Sequence, residues 1–263
     1  KLISLKSDIN ALFNSPVLGY NSKDDIVYQF WANRDSHEVY YFDPKTDYAP
    51  TTAISSISWD DPNFPNIEGF GVWAAKCNFT MGPDGKMYSR MLGGNLVRID
   101  VENARGENLT NGDLVGTKDG SAYGLVFDPQ DENVFYFSNN DKHCIYKYDL
   151  RTKECACWAG QEGKSGYLDG PIGQAMFNKP GQMCVDSEGN IILTDTENHC
   201  IRKITMSTGY VSTLAGKPQN SGYVNGSAED AQFKKPLGIC IDNDDVMYIG
   251  DSENRAIRRL AVE

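Results

Sequence analysis

The sequence predicts an all-β fold made of repeated four-stranded sheets. Three observations carry that expectation. A spacing of 56 residues relates long stretches of the C-terminal half, pairing Cys144 with Cys200, Gly160 with Gly216, Phe177 with Phe233 and Asn198 with Asn254. Each repeat resolves into short runs rich in β-branched and aromatic residues, punctuated by Gly, Asn, Asp and Ser. No segment keeps a 3.6-residue apolar period long enough for a helix.

In chain order, the first repeat is the most diverged and reads DDIVYQFWANRDSHEVYYFDPKT. The second, NFTMGPDGKMYSRMLGGNLVRID, carries a Pro-Asp-Gly turn at Pro83 to Gly85. The third supplies four strand candidates, YGLVFD, NVFYFSN, CIYKYD and ECACWAG. The fourth starts near GQMCVD, turns at Ser187 to Asn190, and continues as IILTD, the tip TEN, HCIRKI and YVSTLAG. The fifth repeats this as GICID, DVMYIGD and AIRRLAV. Four-stranded units of this length are the signature of a β-propeller, in which each blade covers its neighbours and few sheet edges stay open. Five repeats are visible. We expect one all-β domain over residues 1–263. The segment around Leu2 to Leu5 is expected to complete the last blade, whose fourth strand is missing before Glu263. The first residue is Lys1 rather than Met, so the chain reads as the C-terminal part of something longer.

Composition narrows the function classes. Twenty-five Lys and Arg against 36 Asp and Glu leave a formal charge of −11, which argues against a nucleic-acid track. No run of 18 apolar residues exists to insert in a membrane. Seven cysteines are present. Cys144 and Cys200 are repeat equivalents, as are Cys184 and Cys240, and equivalent positions in adjacent blades sit too far apart to bridge. Most read as small buried hydrophobes. No Cys-x-x-Cys or His-x-x-x-His spacing points to zinc.

The run DTENHCIRKI, Asp195 to Ile204, poses the sharpest question. It places Asp195, Glu197, His199 and Cys200, all metal-ligating types, within six residues. The same word recurs at Asn140 and at Asp251, and the last copy holds Arg255-Ala256 where His199-Cys200 stand. A catalytic pair is not normally repeated in neighbouring units and then dropped, so the word reads as architecture.

This run and the segment TGYVSTLAGKPQNSGYVNGSAEDAQFKKPLGICID resemble the NHL-repeat family, whose naming Asn-His element falls on Asn198-His199. The resemblance is strong from Tyr123 to Glu263 and weak before Asn78. It implies an NHL-type β-propeller, a fold whose family rings usually have six blades. More narrowly, the sequence is similar to the propellers of gut-bacterial cell-surface proteins. That likeness implies an extracytoplasmic location, at the cell surface or in the periplasm, and an N-terminal immunoglobulin-like IPT/TIG domain. It is specific for fold and not for function.

Candidate site residues follow from departures from the repeat. The tips between second and third strands are placed at Asn33-Arg34-Asp35, Ser89-Arg90, Asn139-Asn140-Asp141, Asp195-Thr196-Glu197 and Asp251-Ser252-Glu253. Arg34 and Arg90 offer an anion or sugar-hydroxyl clamp, with solvated loop arginines as the plainer reading. The irregular stretch SSISWDDPNFPNIEGFGVWAAK carries Trp59 and Trp73 beside Asp60 and Asp61, a composition suited to carbohydrate stacking or to sealing a cleft between blades. Asn139 joins these candidates as a tip residue. Asp195 and Asp251 could hold calcium, or cap their own turns. Tyr167 and Tyr223 recur in register and read as plugs between blades. Two of the three histidines are repeat equivalents, which gives little support to a His-based catalytic centre. The leading reading is a non-catalytic recognition module that binds a glycan or a protein, with no cofactor other than calcium. The alternative is a metal-dependent propeller hydrolase or lyase, resembling lactone hydrolases and an amidating lyase, with its site in the central channel.

Overall fold

Short β-branched runs between Gly and Asp turns cannot bury both faces alone, so each must form a sheet and stack on another. The computed structural model shows that arrangement. It describes residues 80–90, 96–109 and 123–261 in full, with Lys45 and the strand backbones at 17–21, 26–33, 36–42, 50–54 and 58–59. The chain divides into two compact units, Lys1–Leu114 and Val115–Glu263.

In the first unit, β1 (Val17–Asn21), β2 (Ile26–Asn33), β3 (Ser36–Phe42) and β4 (Pro50–Ile54) form an antiparallel sheet in chain order. A second sheet contains β5 (Ser58–Trp59), β6 (Thr80–Met81), β7 (Met87–Arg90), β8 (Leu96–Asp100) and β9 (Arg105–Asn108). Its order is β5-β9-β8-β7-β6, and β5 runs parallel to β9.

Among its described residues the second unit holds three sheets. The third repeat folds as β10 (Leu125–Phe127), β11 (Val134–Asn139), β12 (Cys144–Asp149) and β13 (Cys155–Gly160). The fourth folds as β15 (Pro180–Val185), β16 (Ile191–Asp195), β17 (Cys200–Thr205) and β18 (Tyr210–Ala215), with the short β14 (Gly170–Pro171) added beside β18. The fifth supplies β19 (Pro236–Ile241), β20 (Met247–Asp251) and β21 (Ala256–Leu260). Among the described residues its sheet has three strands, and the expected completion by Leu2 to Leu5 lies outside them.

The hydrophobic pattern explains why the sheets stack. Side chains alternate faces along a strand, yet β16 is buried at every position, so both of its faces are covered. Ile191 and Leu193 pack with Val126, Val134, Tyr136 and Ile145 of the third repeat. Ile192 turns the other way, toward Ile239, Met247 and Ile249 of the fifth. Ala175 with Phe177, and Ala231 with Phe233, arrive from the loops that join the sheets and enter these two cores. Those loops must therefore be fixed if the cores are to form.

Local turn chemistry sets each first hairpin. Asp186 Oδ1 accepts the Asn190 N–H at 2.7 Å, Asp242 Oδ1 the Val246 N–H at 2.9 Å, and Asp128 Oδ1 the Gln130 N–H at 2.8 Å. Gly160 and Gly216, one at the end of β13 and one just after β18, take φ of +94° and +99°. A Cβ on Gly216 would meet the His199 carbonyl oxygen and Phe233 Cδ2, both at 3.0 Å. Gly216→Ala is expected to cost about 1–3 kcal/mol through backbone strain and displaced Phe233. Urea unfolding of the variant beside the parent chain measures it, and an unchanged midpoint would mean that the turn relaxes freely.

Candidate functional site

The run Asp195 to Ile204 folds as a hairpin tip. After β16, residues Thr196–Asn198 make one 3₁₀ turn, and His199 closes it in the left-handed region at φ 58°, its N–H donating to the Thr196 carbonyl. Asp195 makes no capping bond to its own turn. Its carboxylate is fully buried and faces inward. Oδ1 accepts the Asn178 N–H at 2.8 Å. Oδ2 accepts Asn198 Nδ2 at 2.9 Å and Arg202 Nη1 at 2.6 Å.

Arg202, fully buried on β17, is the hub of this cluster. Nη1 also donates to the Met176 carbonyl, and Nη2 donates to the Leu168 carbonyl and to Asp169 Oδ1. The guanidinium lies 4.9 Å from the Tyr167 ring centroid and 5.1 Å from that of Phe177. Asn198 Nδ2 donates to the Gly166 carbonyl at 2.8 Å. Together these groups tie the whole loop from Gly166 to Met176 to the fourth sheet. Burial pushes the Asp195 carboxyl up, to about 6, against the pull of Arg202, Asn198 and the Asn178 N–H.

The fifth repeat builds the same cluster. Asp251 Oδ1 accepts the Lys234 N–H at 2.7 Å, and its Oδ2 accepts Asn254 Nδ2 at 2.8 Å and Arg258 Nη1 at 2.9 Å. Arg258 stands 4.9 Å from Tyr223 and 5.0 Å from Phe233. Tyr167 and Tyr223 therefore cover guanidinium groups, although Tyr223 stays 60% exposed. Asp195 and Asp251 spend their oxygens on arginine, asparagine and backbone donors. Among the described residues no group of three or more His, Cys, Asp or Glu is placed to hold a metal ion.

The histidines act beside these clusters as links between sheets. His143 Nδ1 accepts the Lys179 N–H at 3.1 Å, and His199 Nδ1 accepts the Lys235 N–H at 3.2 Å. Each ring thus holds the residue that leads into the next sheet. Both histidines sit at positive φ, as does Arg255 in the last copy. Burial lowers the His143 pKa, and the Lys179 charge adds to the effect.

The remaining candidates separate. Arg90 is the last residue of β7, opposite Leu96, and is 1% exposed, so it does not present its charge at a tip. Asn139 ends β11 and is fully buried; its Oδ1 accepts the Lys142 N–H, and its Nδ2 is buried without a hydrogen-bond partner. Arg34, Trp73 and the side chain of Trp59 lie outside the described residues. Sequence reasoning missed Arg202 and Arg258. Their signal was an arginine repeated at the 56-residue spacing within a strand, seven residues after a repeated aspartate.

Comparison with known proteins agrees with this architecture. Residues 177–204 match the NHL repeat family model. Over 271 aligned residues the chain is 25% identical to Protein SUPPRESSOR OF QUENCHING 1, chloroplastic, of Arabidopsis thaliana, covering 95% of this chain. It spans 25% of that relative's length. A solved structural-genomics protein of unknown function from Bacteroides thetaiotaomicron matches with a TM-score of 0.79 and 24% identity, over 94% of this chain and 58% of that one. An auxiliary nutrient binding protein from the same organism matches with a TM-score of 0.70 and 23% identity, over the same shares of the two chains. At these identities the structural likeness establishes the fold.

Two outcomes follow from the geometry. Asp195→Ala leaves the buried Arg202 short of its closest anion and is expected to cost about 3–5 kcal/mol, read from denaturant unfolding. A loss below about 1 kcal/mol would show that Asp169 alone neutralises the guanidinium. For His143, the folded pKa lies below the ordinary value of about 6.5, so its contribution is complete above about 6.5 and is lost as pH falls through the lower folded value. His143→Asn keeps a residue tolerant of positive φ and removes the titration. It is expected to flatten the fall in melting temperature between about pH 7 and 5, and an unchanged profile would assign that fall to other groups.

Proposed function

We propose that this NHL-repeat propeller is a non-catalytic binding module, and that it recognises a glycan through side chains outside the repeated pattern. The observation that carries the reading is the commitment of the repeated polar word. Asp195, Asn198, His199 and Arg202 each hold a loop or a neighbouring sheet, and their counterparts Asp251, Asn254 and Arg258 are engaged in the same way. Groups fixed in such latches are not available to bind and release a substrate. The likeness to an auxiliary nutrient binding protein supports a binding role, and the formal charge of −11 disfavours polyanionic partners.

The residues offered for recognition are Trp59, Trp73 and Arg34. Aromatic rings beside Asp60 and Asp61 combine an apolar face for a sugar ring with acceptors for its hydroxyls. In this reading the module works outside the cytoplasm, at a bacterial cell surface or in the periplasm.

The test is a panel of neutral and acidic oligosaccharides titrated calorimetrically against the chain, with calcium present and absent. Trp59→Ala and Trp73→Ala are each expected to weaken the retained sugar by about tenfold or more, with the melting temperature nearly unchanged. A large drop in melting temperature would make the rings part of a core and remove them from the site. No retained sugar across the panel would overturn the glycan reading.

A further inference from the structure

The loops that enter the fourth and fifth sheets differ at one polar position beside the buried arginine. In the fourth, Asp169 Oδ1 accepts Arg202 Nη2 at 2.7 Å, and Asp169 Oδ2 accepts the Thr213 N–H of β18 at 3.1 Å. The 56-residue spacing puts Asn225 at the Asp169 position and Gly226 at that of Gly170. Arg258 makes the matching contact, its Nη2 donating to Asn225 Oδ1, again at 2.7 Å. The two glycines also correspond, at φ of +152° and +156°. The fold therefore accepts a carboxylate where Asn225 stands. Among the described residues Arg258 pairs with one carboxylate, Asp251, where Arg202 pairs with two.

Asn225-Gly226 is one of two Asn-Gly pairs in the chain; the other, Asn111-Gly112, lies outside the described residues. In such a pair the glycine nitrogen carries no neighbouring Cβ, so it can close a five-membered ring on the asparagine side-chain carbon. Both residues are exposed, which admits water. Among the described residues the Gly226 N–H meets no acceptor, so the attacking nitrogen is not held elsewhere. The Asn225 amide nitrogen, which would leave, also has no partner there. The one hydrogen bond of this side chain falls on Oδ1. That is the oxygen that gains negative charge when the carbonyl carbon is attacked, and its donor is a guanidinium.

We propose that Asn225 is a site of intramolecular deamidation, and that the reaction converts the neutral partner of Arg258 into a second carboxylate. The Gly226 nitrogen attacks Asn225 Cγ and gives up its proton. The Cγ–Nδ2 bond breaks, ammonia leaves with that proton, and a succinimide ring joins the two residues. Water then attacks Cγ, whose oxygen still faces Arg258. The bond from Cγ to the ring nitrogen breaks, the nitrogen regains a proton from the water, and an aspartate stands in an unbroken main chain. The net change is one water taken up and one ammonia released, with no oxidation. Attack of water on the main-chain carbonyl would give isoaspartate instead. The Arg258 contact polarises Cγ and so directs the opening toward aspartate. The new carboxylate remains on Nη2, as Asp169 does on Arg202.

The full chain is incubated at mildly alkaline pH, folded in buffer and, in parallel, unfolded in guanidinium chloride. Samples are digested in acid and mapped by mass spectrometry with fragmentation that separates aspartate from isoaspartate. In the folded chain Asn225 is expected to convert with aspartate as the larger product. In the unfolded chain, where Arg258 no longer faces it, the larger share is expected as isoaspartate. Asn225→Asp makes the product directly and is expected to raise the urea midpoint of unfolding. Arg258→Lys keeps the charge but not the fork, and should shift the folded product toward isoaspartate. Asn225 left intact in the folded chain once the unfolded chain has converted there would overturn the proposal. So would isoaspartate as the main folded product, or a lowered midpoint for Asn225→Asp. The product map of the unsubstituted chain is decisive even if Arg258→Lys does not fold.

Discussion

The second unit depends on a guanidinium buried where no solvent reaches it. Moving Arg202 and Asp195 out of water costs several kcal/mol for each ion, and their mutual attraction alone does not offset that. The surroundings close the gap. Arg202 has two carboxylates, two backbone carbonyls and two aromatic faces around it, and Asp195 receives three donors. The pair therefore makes sense only when the loop from Gly166 to Met176 is in place. That loop leads directly into Ala175 and Phe177, which fill the core between the third and fourth sheets. One charged cluster thus fixes the backbone that carries the hydrophobic seal, and the two kinds of interaction stand or fall together.

The histidine links extend this logic from one sheet to the next. A ring nitrogen that accepts a main-chain N–H can reach across a gap that a short side chain could not. His143 and His199 do so for the residues entering the fourth and fifth sheets. Their left-handed backbone aims each ring past the end of its own hairpin. Residue types that suggest metal binding or catalysis when met in a sequence are used here for their geometry. The adjacency of His199 and Cys200 is a consequence of the tip closing and the strand beginning in consecutive residues.

Strand order and repeat boundaries in the second unit were legible because turn residues and apolar runs alternate sharply there. The third-repeat runs NVFYFSN and CIYKYD became β11 and β12 with little change of limits. Tip positions were less legible. Arg90, like Asp195, is the last residue of its strand and pairs with the first residue of the next, so a tip position in the sequence is a strand end in the fold. The Asp195 carboxylate makes no capping bond to its own turn and reaches the N–H of Asn178. No local pattern reports a bond between residues 17 positions apart. A buried arginine is similarly hard to see, since its sequence signature is that of a solvated strand edge until its repetition is noticed.

Because each cluster is assembled from its own repeat and the loop entering it, one repeat can change without dissolving the others. The third repeat has used that freedom. Asn139 and Tyr146 stand where the fourth has Asp195 and Arg202, so the buried charge is gone, and one Asn139 amide donor is left unpaired in the interior. In the fourth repeat the Thr213 hydroxyl, opposite Arg202, is engaged by the Tyr167 phenol and by Asp169. At the 56-residue spacing Cys157 stands at the Thr213 position, opposite Tyr146, and Cys144 is buried at the Cys200 position. A scaffold that confines each buried charge to a single repeat lets one repeat lose it while its neighbours keep theirs.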